Sequence, residues 1–178
     1  MGGVLWCGFD DTNMVPYVPV YGCSTLCPEP YAQQTADPFT FSLKSAYWLQ
    51  NALSNFVYPR YCQLFPEVQQ ARDALDSELE SLQEQVEKAA AALSQEEAVR
   101  YLTGYTARTS GLMMDRWRTL FERLIVKYND FTEKPEADGQ YKRTAGGEHV
   151  PVIRPGYPER YRRTVIESTG DRYLMPEK

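Results

Sequence analysis

Between Pro66 and Leu93 the chain places Leu75, Leu79, Leu82, Val86, Ala89 and Leu93 at alternating spacings of four and three. This is the apolar seam of a helix that packs lengthwise on another helix, so a partner helix is required. Ser94-Gln95-Glu96-Glu97 follows immediately and has the form of a capping box, the start signal of a new helix after a tight turn. Pro66 fits a first helical position. The spacing therefore predicts an antiparallel helical hairpin over 66–128. Its second arm carries Trp117, Leu120, Phe121, Leu124, Ile125 and Tyr128 on one face, with Gly104 and Gly111 expected to interrupt its first half. A hairpin closed on itself satisfies the seam without a second chain.

Charge constrains partners. Between Pro66 and Leu93 lie seven acids (Glu67, Asp73, Asp76, Glu78, Glu80, Glu84, Glu87) against two bases (Arg72, Lys88), an excess that equals the whole chain's net charge of −5. A run of this kind reads as a solvated helix face. The balance argues against a nucleic-acid partner, because the one basic stretch, Arg154 with Arg160, Arg162 and Arg163, is offset by acid elsewhere. No apolar run approaches the roughly 18 residues needed to cross a bilayer, and the first residues lack the pattern of an export signal. No membrane partner is expected, and the compartment stays open.

Ahead of the hairpin, Val4-Leu5-Trp6-Cys7-Gly8-Phe9 and Met14-Val15-Pro16-Tyr17-Val18-Pro19-Val20-Tyr21 are short β-rich segments separated by the turn formers Asp10-Asp11-Thr12-Asn13. They predict a two-stranded ribbon, with Pro16 and Pro19 placing the second strand at an edge. Two strands alone are marginal, so the ribbon is expected to need further sheet. A proline-broken loop covers 24–37. Ser42 is the expected N-cap of a helix whose face is Ala46, Leu49, Leu53, Phe56 and Val57, ending at Pro59, while Trp48 off that stripe predicts cover on a second side. Residues 131–156, rich in glycine, proline and charge, read as a long loop. Pro158 at a first helical position, Tyr161, Val165, Ile166 and a closing Gly170 mark a short last helix. The expected fold class is α+β, mainly helical. The expected organisation is a single incomplete domain over 1–178: strands and loop at 1–39, a helical segment at 40–130 containing the hairpin, and loop with a short helix at 131–178.

The chemistry-bearing residues are few. Cys7, Cys23, Cys27 and Cys62 are too irregular for a disulfide framework, and only Cys23 with Cys27 has metal-ligand spacing. They read as free thiols or small buried hydrophobes. A nucleophilic serine or cysteine needs a base, and the sole histidine, His149, sits in a glycine-flanked loop and reads as a surface residue. Asp10-Asp11 lies in a turn. No nucleophile elbow, phosphate-binding glycine loop or zinc-binding His pair is present. The residues nominate no catalytic, cofactor-binding or metal-ligating position, and no cofactor.

Ser45-Ala46-Tyr47-Trp48-Leu49-Gln50-Asn51-Ala52-Leu53-Ser54-Asn55-Phe56-Val57-Tyr58-Pro59-Arg60-Tyr61, preceded by Met14-Val15-Pro16-Tyr17-Val18-Pro19-Val20-Tyr21-Gly22 and followed by Lys127-Tyr128-Asn129-Asp130, resembles a family signature in order and spacing. The chain resembles the C-terminal part of the cysteine dipeptidases of the N-terminal-nucleophile hydrolase superfamily, the group that includes dipeptidase A and, more distantly, the secernins. The resemblance spans about 4–130, with a weaker match from Gly156-Tyr157-Pro158-Glu159 to Tyr173. It implies edge strands and the helical C-terminal segment of an αββα sandwich, and hydrolysis of dipeptides through a cysteine at the start of the mature chain, whose own α-amino group acts as base. Cys7-Gly8-Phe9-Asp10 does not look like that nucleophile segment, and no catalytic residue of the family carries over to this sequence. The expectation is a C-terminal portion that is inactive alone and takes dipeptide substrate only when joined to a missing N-terminal portion. The rival reading is a non-enzymatic helical module for dimerisation or partner binding, and a homo-oligomer is compatible with either.

Overall fold

The computed structural model describes residues 3–173 and separates into two compact units, Met1–Arg123 and Leu124–Lys178. The elements are β1 (Val4–Cys7), β2 (Val18–Tyr21), α1 (Ala46–Val57), α2 (Tyr61–Ala91), α3 (Gln95–Tyr128), β3 (Glu136–Ala137), β4 (Gln140–Tyr141) and α4 (Glu159–Thr169). Helix dominates, and the described strands form two small antiparallel pairs, so the class is α+β. Among the described residues no helix is long and apolar enough to cross a membrane.

α2 and α3 form the expected hairpin. Glu67 pairs with Arg123 at 3.1 Å and Glu78 with Arg116 at 2.7 Å, so numbers that rise along α2 fall along α3 and the arms are antiparallel. The capping box is formed in both directions: the Ser94 N–H donates to Glu97 Oε2 at 3.1 Å, and the Glu97 N–H donates to Ser94 Oγ at 3.4 Å. Gly104 and Gly111 do not interrupt α3, which runs unbroken from Gln95 to Tyr128. The surrounding helix formers and buried neighbours outweigh roughly 1 kcal/mol of lost propensity at each glycine.

The seam itself needs correction. The buried residues of α2 are Leu64, Val68, Leu75, Leu79, Val86 and Ala90, pairs that recur every eleven residues rather than every seven. An eleven-residue repeat matches a nearly straight helix, whereas a seven-residue repeat drifts by about 20° per heptad unless the helices supercoil. Leu82 and Ala89 fall on the drifting flank: Leu82 is 37% exposed and Ala89 is exposed, while Ala90 is fully buried. Leu93 lies past the helix end and is 41% exposed. Pro66 is also not the first helical residue, because α2 begins at Tyr61; its ring sits exposed in the second turn, where the missing N–H leaves only the Cys62 carbonyl without its helical donor.

α1 buries Ala46, Leu49, Leu53 and Val57 as expected, with Phe56 half-buried against Phe121 at 6.2 Å between ring centroids. Its N-cap is Ser45, not Ser42. Ser42 Oγ accepts the Lys44 N–H and the Ser42 carbonyl accepts the Ser45 N–H, so Ser42 builds the turn before the helix. Trp48 is covered off the main stripe, its Nε1–H donating to the Asp37 carbonyl at 3.0 Å and its ring set edge-on to Phe41 and Tyr47.

β1 and β2 form the expected ribbon, with Val4 opposite Tyr21 and Trp6 opposite Pro19. Tyr21 anchors it in the closed end of the hairpin, in a cluster with Val86, Ala90, Ala98, Leu102 and Tyr105. Gly8 is required where the chain leaves β1, since a Cβ there would lie 3.0 Å from Val15 Cγ2 and 3.3 Å from the Pro16 carbonyl.

In the second unit, residues 131–156 are not a plain loop. β3 and β4 pair across Asp138 and Gly139, both with positive φ (51° and 75°), and isolated bridges join Glu133 to Ile153 and Arg143 to His149. Asp-Gly between short strand segments is a strong hairpin signal that the overall composition masked. Pro158 is the N-cap of α4 rather than its first residue, and Gly170 closes the helix with φ 51°.

Candidate functional site

The part of the first unit richest in chemistry surrounds the ribbon. Cys7 lies on β1 opposite Val18 and lines a shallow depression of about 340 Å³ with Phe9, Val20, Leu26, Cys27 and Tyr31. Phe9 stacks on Tyr31 at 5.0 Å. Burial pushes the Cys7 thiol pKa up, which favours the thiol over the thiolate that would act as a nucleophile. Burial also raises the Tyr31 hydroxyl strongly, with a bond to Ser110 opposing it and Cys7 and Cys27 adding to it. All four cysteines are free, and among the described residues no group of three or more His, Cys, Asp or Glu could hold a metal.

Polar side chains of the helices fix the ribbon. The buried Gln50 accepts the Phe9 N–H at 3.2 Å, Asn51 donates to Asp10 Oδ1 at 2.9 Å, and Tyr58 donates to Asp11. Asp10 and Asp11 therefore clamp the turn, and Asp10 holds φ 72°. On β2, Thr106 Oγ1 accepts the Tyr21 N–H at 3.4 Å, and just before the strand Asp76 Oδ1 accepts the Tyr17 N–H at 3.0 Å.

Asp76 is the feature that sequence reasoning missed. Its position groups it with the solvated acids of α2, yet it is half-buried and lines a cavity of about 300 Å³ with Trp6, Tyr17, Glu80 and Gln83. Burial raises its carboxyl pKa, the Tyr17 N–H and Arg72 oppose the rise, and Glu80 and Asp73 add to it. The available signal was its place directly after Leu75, at the border of the buried stripe. Of the other acids, Glu67 and Glu78 meet arginines of α3, while Asp73, Glu80, Glu84 and Glu87 are exposed as a solvated face requires. His149 lies in the second unit and is exposed, in agreement with its reading as a surface residue. Within the first unit, no histidine is available as a base for Cys7.

Residues 1–74 match the family model described as peptidase family C69. The match takes in the ribbon, α1 and the first part of α2, and supports a cysteine peptidase relationship for that segment. It includes Met14–Gly22 and the aromatic run Ser45–Tyr61; Lys127-Tyr128-Asn129-Asp130 lies beyond it. No curated protein matches the chain.

Proposed function

We propose that this chain is the C-terminal portion of a dipeptidase of the N-terminal-nucleophile class, in which the ribbon and α1 belong to an αββα sandwich and another segment supplies the N-terminal cysteine. The observation that carries the reading is the C69 match over 1–74. The protonated state favoured for Cys7, and the lack of a histidine base in its unit, support placing the nucleophile elsewhere. The partners of this reading are the nucleophile-bearing N-terminal portion and, in the joined enzyme, a dipeptide. The helical-module alternative draws less support, because the seam is buried within the chain's own hairpin.

Purified chain should release no amino acids from a dipeptide panel. Co-expression with the N-terminal half of a related C69 enzyme should give hydrolysis that depends on that half's cysteine. Hydrolysis by the chain alone, abolished by Cys7→Ala, would overturn the proposal.

A further inference from the structure

The face of the ribbon that carries Trp6, Pro19 and Tyr21 lies against α2, since Tyr21 packs among Val86 and Ala90 of that helix. Near Asp76 the fit is open. Trp6 and Tyr17 on one side and Asp76, Glu80 and Gln83 on the other enclose a cavity of about 300 Å³, the lower end of small-ligand sites. Both rings are half-buried, and the three helical residues stand at i, i+4 and i+7 on one face of α2. The acids of α2 are partnered except here. Of the seven, Glu67 and Glu78 pair with Arg123 and Arg116, Asp73 with Arg72 and Glu84 with Lys88, and Glu87 accepts from Gln83 Nε2 at 2.9 Å. The two that pair with no cation among the described residues, Asp76 and Glu80, are the two that line the cavity. The Tyr17 N–H fixes Asp76 through Oδ1 at 3.0 Å, while Arg72, one turn earlier, is held by Asp73 and the Asn13 carbonyl. Burial first, and then Glu80, raise the Asp76 carboxyl, and a cation beside the two carboxylates offsets both effects.

We infer that this cavity binds the ammonium group of a small aliphatic amine, with Asp76, Glu80 and the Gln83 carbonyl oxygen as acceptors and Trp6 and Tyr17 as aromatic walls. A primary ammonium has three donors and no acceptor. The helix supplies three acceptors to match, because Gln83 spends its Nε2 on Glu87 and keeps Oε1. The ring faces attract a cation and cover its alkyl chain, which an inorganic ion lacks. Calcium takes about six to eight oxygens, more than two carboxylates and one amide offer. A second ammonium group balances the second carboxylate, so a diamine is the better ligand. This inference does not depend on the peptidase reading, and dipeptide hydrolysis plays no part in its test.

Putrescine titrated into the isotope-labelled chain at neutral pH and constant ionic strength should shift the NMR signals of the Tyr17 amide and the Trp6 indole N–H saturably, with a Kd on the order of 1 mM. Butylamine should bind about threefold to tenfold more weakly, and tetramethylammonium, which has no N–H to donate, more weakly still. Asp76→Asn, which still accepts the Tyr17 N–H, and Glu80→Gln, at an exposed position, should each weaken putrescine about threefold to tenfold with unchanged far-UV circular dichroism. Glu84→Gln removes the same charge from α2 outside the cavity and should leave the Kd within about twofold. Signals that do not shift, or that shift without saturating, overturn the proposal. So does equal weakening by Glu84→Gln and Glu80→Gln, which would mean a diffuse attraction to the acidic helix. Tighter binding of tetramethylammonium than of butylamine, or calcium chloride saturating the same signals below the putrescine range, assigns the cavity to another cation and also overturns it.

Discussion

Leu79 and Leu82 lie one turn apart on α2, and a seven-residue seam would make them equivalent. Their environments differ: Leu79 is 1% exposed and Leu82 is 37% exposed. Truncating Leu to Ala at a fully buried site removes transfer energy and leaves a cavity, together about 2 to 5 kcal/mol. At Leu82 roughly two-thirds of that apolar surface is covered and the gap opens to solvent, so the cavity contribution disappears. With about 0.8 kcal/mol per buried methylene, the loss falls to about 1 to 1.5 kcal/mol. Urea unfolding followed at 222 nm, with the slope held common to all variants, should therefore rank Leu79→Ala below Leu82→Ala, separated by at least about 0.5 kcal/mol. Equal losses at the two positions would refute the eleven-residue seam and restore a supercoiled heptad. A loss below about 0.5 kcal/mol at Leu79 would show that the position is not buried at all.

Two further outcomes follow from the ribbon's anchors. Thr106→Val keeps the shape but removes the acceptor of the buried Tyr21 N–H, so it should cost about 1 to 3 kcal/mol; hydrogen exchange should show the Tyr21 amide deprotected more than amides of α1, and an unchanged Tyr21 amide would refute the anchor. Asp76 has a folded-state pKa raised by burial, so its stabilising contribution is fully present below the unfolded value of 3.8 and is lost as pH rises through the folded value. Asp76→Asn, which can still accept the Tyr17 N–H, should therefore melt at or above the wild-type temperature at pH 7 and lose that advantage by pH 3; an advantage that grows on acidification would refute the sign.

Local rules read the long elements well. The capping box fixed the turn of the hairpin because Ser94 and Glu97 bond each other within one helical turn, with no help from distant residues. Burial at α1 follows its three-and-four spacing, with Ala46, Leu49, Leu53 and Val57 buried and the polar Gln50 and Ser54 buried beside them. The seven-residue seam failed at Leu82 and Ala89 because two registers, seven and eleven, share Leu75, Leu79 and Val86, and only the course of the partner helix decides between them. The β3–β4 pair was lost for a different reason: its two-residue strands carry no periodicity, and only Asp138-Gly139 announces them.

The region around the ribbon was the least legible, and the cause is sequence distance. Gln50 reaches Phe9 across 41 positions, Asp76 reaches Tyr17 across 59, and Thr106 reaches Tyr21 across 85. Each of these side chains has an ordinary local reading: a helical amide, a surface acid, a helical threonine. Their common role appears only when the helices stand beside the ribbon, where Gln50 takes the N–H of Phe9 after β1, Asp76 that of Tyr17 before β2 and Thr106 that of Tyr21 in β2.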